Sequence, residues 1–305
     1  MSVVFIHVGL PKTGTTHLQD RLWWNRDLAF RHSGLLYPGN EMADHFHAAT
    51  HLQPGRYLDW VDPAFAGSWS TMVSQMRAWP GASLVSHELF ATAREEQIES
   101  LVNDLSFADE VHVIVTVRDL ARQLPSVWQE NVKNQRLASF DDFVTSVRRH
   151  APRRTGSWGG DMEEEPFWEF QDYVGILGRW AKFVGPERAH LVTVAKSGTG
   201  ASSLWERFLS VLDVDPAPMT IDVPNNNTSL SAAQAELLRR LNSRLQPDDI
   251  EWDRYERVVK GHIIAKVLFA QTGGTPRGLS TEQRAWAADE AEAMIDAVRV
   301  AGYPV

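Results

Sequence analysis

The 305-residue chain has no cysteine. Disulfides, thiolate metal sites and a cysteine nucleophile are therefore excluded. An excess of basic residues is lacking too: 30 Lys and Arg stand against 39 Asp and Glu, a net charge of −9. A general nucleic-acid binder neutralises phosphates with a basic face, so no nucleic-acid partner is expected, although a local basic recess fits this balance. No apolar run approaches the roughly 20 residues of a membrane-spanning helix, so no transmembrane segment is expected. The N-terminus lacks a charged stretch ahead of an apolar run and enters a strand at once. It reads as a cytoplasmic protein without a signal peptide. Tyrosine is scarce, at 5, whereas tryptophan is abundant, at 12. The tryptophans read first as core and second as the lining of an apolar acceptor site.

What remains is ordinary for a globular protein: 43% hydrophobic and 23% charged residues. The length suffices for a full core, and neither a linker nor an internal repeat interrupts it, so residues 1–305 read as a single domain. Apolar β-branched runs alternate with helical patterns. Strands are expected at 3–8, 83–86, 111–117 and 190–194, and a short one near 35–37. Helices are expected at 15–32, 94–105, 120–134 (with Pro125 starting or kinking it), 140–149, 173–183, 203–212, 231–245, 251–271 and 281–301. Residues 150–170 read as irregular, either a functional loop or a solvated insertion, with the acidic run Glu163 to Glu165. The alternation predicts an α/β fold of three layers, with a mainly parallel central sheet and a helical C-terminal part.

The most informative stretch is Val3 to Leu18. A buried strand, Val3 to Val8, leads into a turn cluster, Gly9-Leu10-Pro11-Lys12-Thr13-Gly14, and then into a helix beginning Thr15-Thr16-His17-Leu18. Strand, glycine loop and helix build an anion site, because the first helical turn has unpartnered N–H groups and a positive dipole end. Gly9-x4-Gly14 has the spacing of a Walker A loop, yet that motif needs lysine directly after the second glycine, and Thr15 stands there. The lysine lies inside the loop instead. Pro11-Lys12-Thr13-Gly14-Thr15-Thr16 resembles the 5′-phosphosulfate loop of sulfotransferases that use 3′-phosphoadenosine 5′-phosphosulfate. Arg118, directly after the strongest strand, and Ser126 eight residues on resemble the 3′-phosphate site of the same family. Bacterial members are also resembled by residues 171–194, with Trp180, and by Asn225 to Leu230.

The resemblance implies a P-loop NTPase-like sulfotransferase fold. It implies 3′-phosphoadenosine 5′-phosphosulfate as co-substrate and no metal, with donor contacts from Pro11, Lys12, Thr13, Gly14, Thr15, Thr16, His17, Arg118 and Ser126. Many eukaryotic relatives have Trp where His17 stands, and no match to their C-terminal Arg-Lys-Gly element occurs here. Lys12 is expected to stabilise the leaving phosphate. The base is expected from His87 or Glu88, which follow a strand. Neighbours in extended backbone point to opposite faces, so one of them enters the cleft, and His87 is preferred because a neutral imidazole works near pH 7. His45 and His47 are expected at the acceptor, and the spacing His45-x-His47-x3-His51 completes no metal triad. The acceptor reads as a small-molecule, sugar or lipid hydroxyl. Two rivals stand beside this reading: a P-loop-like kinase or NTPase, and a non-catalytic nucleotide-binding module.

Overall fold

The computed structural model describes residues 1–57, 60–151, 166–196, 202–224, 229–245, 249–271 and 273–305. Two compact units emerge from its internal contacts. The first comprises Met1–Arg118, Glu169–Pro224 and Ala293–Val305; the second comprises Asp119–Trp168 and Asn225–Glu292.

The first unit is built on five parallel strands in the order β2-β3-β1-β4-β5. They are β1 (Val3–His7), β2 (Leu35–Leu36), β3 (Ala82–Ser86), β4 (Glu110–Val117) and β5 (Ala189–Thr193). The expected central parallel sheet is therefore present, and it is parallel throughout. Alternating strand residues feed two cores, as the period of two requires. Val4, Ile6, Val85, Val113 and Leu191 enter one core, with Met72 and Met76 of α3 (Ser68–Arg77), Ile98 and Leu101 of α4 (Glu95–Asp104), and Ile176 and Trp180 of α8 (Tyr173–Val184). Phe5, Leu84, Ile114 and Val192 enter the other, with Leu18 and Leu22 of α1 (Thr15–Ser33) and Trp205 and Phe208 of α9 (Leu204–Val211). Helices thus cover both faces of the sheet. A further helix, α2 (Asp44–Leu52), carries all three histidines 45, 47 and 51. The connection from β1 runs toward β2 on one side, and that from β4 toward β5 on the other. The winding direction reverses between β1 and β4, which is where open α/β sheets bind ligands, at the carboxyl ends of the strands.

The second unit is helical among its described residues: α5 (Leu120–Lys133), α6 (Phe140–Arg149), α10 (Ala232–Asn242), α11 (Trp252–Tyr255) running on into a wider π-type winding over Glu256–Leu268, and most of α12 (Thr281–Ala301). The 251–271 segment is thus helical as expected, but most of it is wound more loosely than an α-helix. Pro125 lies inside α5 rather than at its start. Its core is tied by side-chain-to-backbone clamps. Gln129 donates to the Leu230 carbonyl and accepts from the Leu230 N–H. Asn242 donates to the Val132 carbonyl at 2.7 Å and accepts from the Tyr255 hydroxyl at 2.7 Å.

Part of the stretch expected to be irregular is ordered: α7 (Phe167–Gln171) forms a short helix. The acidic run 163–165 lies outside the described residues, as do Asn225 to Thr228. Among the described residues, no helix is long and apolar enough to cross a membrane.

Candidate functional site

The loop after β1 is held by a buried polar chain across three strands. His7, Ser86 and Thr116 sit at or near the carboxyl ends of β1, β3 and β4, and all three are buried. The His7 ring nitrogens contact the Ser86 hydroxyl at 2.7 Å and the Thr116 hydroxyl at 3.3 Å. The Thr116 and Thr13 hydroxyls lie 2.6 Å apart, and each also reaches a loop carbonyl, Gly9 for Thr116 and Leu10 for Thr13. Burial drives the His7 imidazole down to a pKa of about 4, against weaker opposing effects of Glu88 and the Gly9 backbone. The ring is therefore neutral near pH 7 and acts as a spacer. Backbone pairing adds to the hold: Val8 N–H donates to the Ile114 carbonyl and Leu10 N–H to that of Thr116.

The loop's backbone explains its glycines. Gly9 has φ 103° and Gly14 φ 98°, values that side chains avoid. At Gly14 a Cβ would also meet Leu204 Cδ2 at 2.8 Å. Lys12 adopts the left-handed region with its side chain, at φ 67°. Such a conformation persists where the surroundings over-determine it, and here buried Thr13 and the Thr116 hydroxyl fix the loop on its inner side. Lys12 is half-buried within this loop. Gln171 donates from its side chain to the Pro11 carbonyl.

Gly14 is the N-cap of α1 and offers no capping side chain, and no acidic residue occupies the first turn. Thr15 is buried, Thr16 is exposed and His17 is half-buried. His17 Nδ1 is buried without a hydrogen-bond partner among the described residues, as is Arg21 Nε one turn further on. The Arg21 guanidinium lies 4.6 Å from the Trp205 ring centre. The junction thus presents a helix N-terminus, a loop lysine and two unsatisfied polar atoms along the next turns, a donor set that suits an anionic ligand.

The second part of the site follows β3. A Cβ built on Gly9 would sit 2.9 Å from Glu88 Cβ and 3.1 Å from its Cα, so the loop backbone and Glu88 are in direct contact. Gln19 of α1 donates to Glu88 Oε2 at 3.1 Å and approaches the Ser86 carbonyl and hydroxyl at 3.4 Å. Burial alone would raise the Glu88 carboxyl. A charge on His87 would lower it, and the residue's own backbone N–H and the Gln19 amide lower it as well.

His87 is differently employed. Its Nδ1 accepts the Leu89 N–H at 3.2 Å, capping the short helical turn Glu88–Thr92. With that lone pair used, the neutral ring carries its proton on Nε2. Burial lowers its pKa, with Glu88 opposing.

His45 and His47 divide. The His45 ring is 2% exposed, accepts the Ser86 N–H at Nδ1 and contacts the Pro38 carbonyl through Nε2 at 2.9 Å. Burial takes its pKa to about 3. Both nitrogens serve the scaffold, tying α2 to the end of β3, which leaves no ring atom for an acceptor. His47 is half-buried and stacks on Phe65 at 3.8 Å. Arg118 is half-buried at the end of β4 in the first unit, and Ser126 is a half-buried residue of α5 in the second. The carboxylate of Asp119 caps α5 and pairs with Arg122. No group of three or more His, Asp or Glu is arranged to hold a metal ion among the described residues.

His7, Gln19, Arg21, Ser86 and Thr116 are absent from the residues singled out by sequence. The usable signal was a polar residue closing an apolar strand, at His7, Ser86 and Thr116. For Gln19 and Arg21, only helical spacing from the loop pointed inward.

No family model matches the chain, and no curated protein matches it. Among solved structures it is similar to a sulfotransferase from Alicyclobacillus acidocaldarius, at 16% identity over 88% of this chain and 98% of that one, with a TM-score of 0.39. A likeness at that level is too distant to say what this chain does.

Proposed function

We propose that the chain is a sulfotransferase that moves a sulfuryl group from 3′-phosphoadenosine 5′-phosphosulfate to an acceptor hydroxyl. The observation behind this reading is the contact between the Gly9 backbone and Glu88, which sets a carboxyl group against a lysine-bearing loop. The resemblance of Pro11 to Thr16 to the family's phosphosulfate loop supports the same reading. In it, the N–H groups of Gly14, Thr15, Thr16 and His17 and the threonine hydroxyls hold the 5′-phosphosulfate. Arg118 holds the 3′-phosphate, as a guanidinium fork suits.

In the transfer step, the acceptor oxygen bonds to sulfur as the bond between sulfur and the bridging phosphate oxygen breaks. The electron pair of that bond leaves with the 5′-phosphate, where Lys12 and the helix N-terminus stabilise it. The acceptor proton passes to Glu88. The products are a sulfate ester and adenosine 3′,5′-bisphosphate. We assign the base to Glu88 rather than to the His87 preferred from sequence. The His87 Nδ1 lone pair is taken by Leu89, whereas the Glu88 carboxyl is oriented by Gln19 beside the loop. His87 then serves as the cap that orients the turn carrying Glu88.

A kinase-like reading lacks support: Thr15 stands where the Walker lysine is needed, and Asp119 is occupied as a helix cap. A purely binding module gives no reason for a carboxylate against the anion loop. Turnover decides. With labelled donor and a panel of hydroxyl acceptors, the protein should release adenosine 3′,5′-bisphosphate and label one acceptor class. Lys12→Ala should lower kcat far more than donor affinity, because the charge it meets is largest in the transition state. Loss of donor binding with unchanged turnover of bound donor would refute the role of Lys12.

A further inference from the structure

The buried chain that fixes the loop and the amide that holds Glu88 meet at one atom, the Ser86 hydroxyl oxygen. From the loop inward, the Thr13 and Thr116 hydroxyls lie 2.6 Å apart, and His7 Nε2 lies 3.3 Å from that of Thr116. His7 Nδ1 lies 2.7 Å from Ser86 Oγ. Beyond Ser86, Gln19 Nε2 lies 3.4 Å from the same Oγ and 3.1 Å from Glu88 Oε2. An unbroken row of polar contacts thus joins the loop to the carboxyl. Every member of the row belongs to the first unit. Thr13, Thr116, His7 and Ser86 are at most 2% exposed, so water has little access to replace a lost contact.

The row runs in one direction. An amide nitrogen only donates, so Gln19 gives one hydrogen to Glu88 and the other to the end of β3, where the Ser86 hydroxyl and carbonyl share it. Ser86 accepts that hydrogen and turns its own to His7 Nδ1. The imidazole is then the Nε2–H tautomer and donates toward Thr116. Burial keeps this ring neutral, with a pKa of about 4, so one nitrogen is free to accept while the other donates. The Ser86 N–H donates to His45 Nδ1, so removal of the hydroxyl leaves the strand end tied.

We infer that Ser86 is a positioning residue whose hydroxyl couples the anion loop to the Glu88 carboxyl. The inference rests on the sulfotransferase reading for the role of Glu88 as base, but the coupling is measurable without turnover. Such coupling is reciprocal: a break in the row alters both anion binding at the loop and proton binding at the carboxyl. The titratable groups beside Glu88 are His87 on its own turn, His7 of β1 and Tyr37 just after β2, with Lys12 in the adjoining loop.

The test follows the Glu88 carboxyl by NMR in protein labelled with carboxyl-¹³C glutamate, the signal being assigned by its loss in Glu88→Gln. Wild type, Ser86→Ala, Ser86→Thr and Thr13→Val are titrated. Ser86→Ala should raise the Glu88 midpoint, because the Gln19 hydrogen bond that favours the carboxylate is loosened. Thr13→Val, at the far end of the row, should raise it by less, and Ser86→Thr, which keeps the hydroxyl, should restore it. By calorimetry, Ser86→Ala should weaken adenosine 3′,5′-bisphosphate about threefold or more, and Ser86→Ala with Thr13→Val should lose less than the product of the two single losses. Should Ser86→Ala be unstable, Gln19→Leu cuts the row at a half-buried side chain, and the same loss of affinity is expected. An unchanged midpoint in Ser86→Ala overturns the inference. So does a shift in Ser86→Ala with none in Thr13→Val, or affinity losses that simply multiply. If the midpoints move as expected while adenosine 3′,5′-bisphosphate does not bind, the coupling stands and the donor reading falls.

Discussion

Two loop-to-helix junctions show how differently one chain can begin a helix. At α10, Ser231 accepts from the Gln234 N–H while the Gln234 side chain accepts from the Ser231 N–H. The preceding Leu230 is clamped at both N–H and carbonyl by Gln129, and the Ala232 N–H donates to the Thr275 carbonyl. The chain satisfies that end from its own groups. At α1, the cap is Gly14 at φ 98°, without a capping side chain, after a lysine held in the left-handed region. His7, Thr13 and Thr116 fix this loop through a buried polar chain, and Gln171 donates to its Pro11 carbonyl. The capped end lends stability to the fold, whereas the α1 end is organised at a cost in backbone strain, which motivates the proposal that it binds the donor.

The contrast can be broken in order of effect. The largest change should come from Glu88→Gln, which keeps the shape beside Gly9 but removes the proton acceptor. Turnover should fall by roughly two to four powers of ten, with donor affinity and melting temperature retained. His87→Gln should lose less, through poorer orientation of the Glu88 turn. If the histidine variant were the inactive one while Glu88→Gln stayed active, the assignment of the base would reverse.

Gly14→Ala comes next. It forces a side chain into φ 98° and against Leu204, at a cost of about 1–3 kcal/mol if the loop holds its shape. The loop is expected to yield instead, so calorimetry should show donor affinity down by at least about tenfold with a small shift in melting temperature. An unchanged donor affinity would mean that the loop is not the donor site.

The smallest effect belongs to the closed junction. Ser231→Ala should lower stability by about 1 kcal/mol, as loss of an N-cap hydroxyl does. Chemical denaturation would read this change, and donor affinity should not move. A loss of donor affinity equal to that of Gly14→Ala would erase the distinction between the two junctions.

Much of the first unit was legible from residue order. The strands at 3–8, 83–86, 111–117 and 190–194 are apolar and β-branched, and they form within about a residue of those bounds because both faces are buried. The loop from Gly9 to Gly14 was legible because glycine and lysine carry their chemistry wherever they stand. What sequence could not supply was the third dimension of the polar groups. His7 and Ser86 are 79 residues apart, and only the parallel register of β1 and β3 brings them together. His45 looked like an acceptor contact until the fold committed both its nitrogens to backbone. His87 reads from sequence as the base, and only the fold shows its Nδ1 accepting the Leu89 N–H of the turn it caps. In each case the partner lay far away in the sequence or in a backbone group that composition does not show.

The most direct test of the account is ligand-induced stabilisation, since a ligand that binds only the native state must raise the melting temperature. Adenosine 3′,5′-bisphosphate, added with EDTA, should raise it in the wild type and much less in Gly14→Ala, and ATP with Mg²⁺ should have little effect on either. Stabilisation by ATP that depends on Mg²⁺, with none from adenosine 3′,5′-bisphosphate, would contradict the account at its centre.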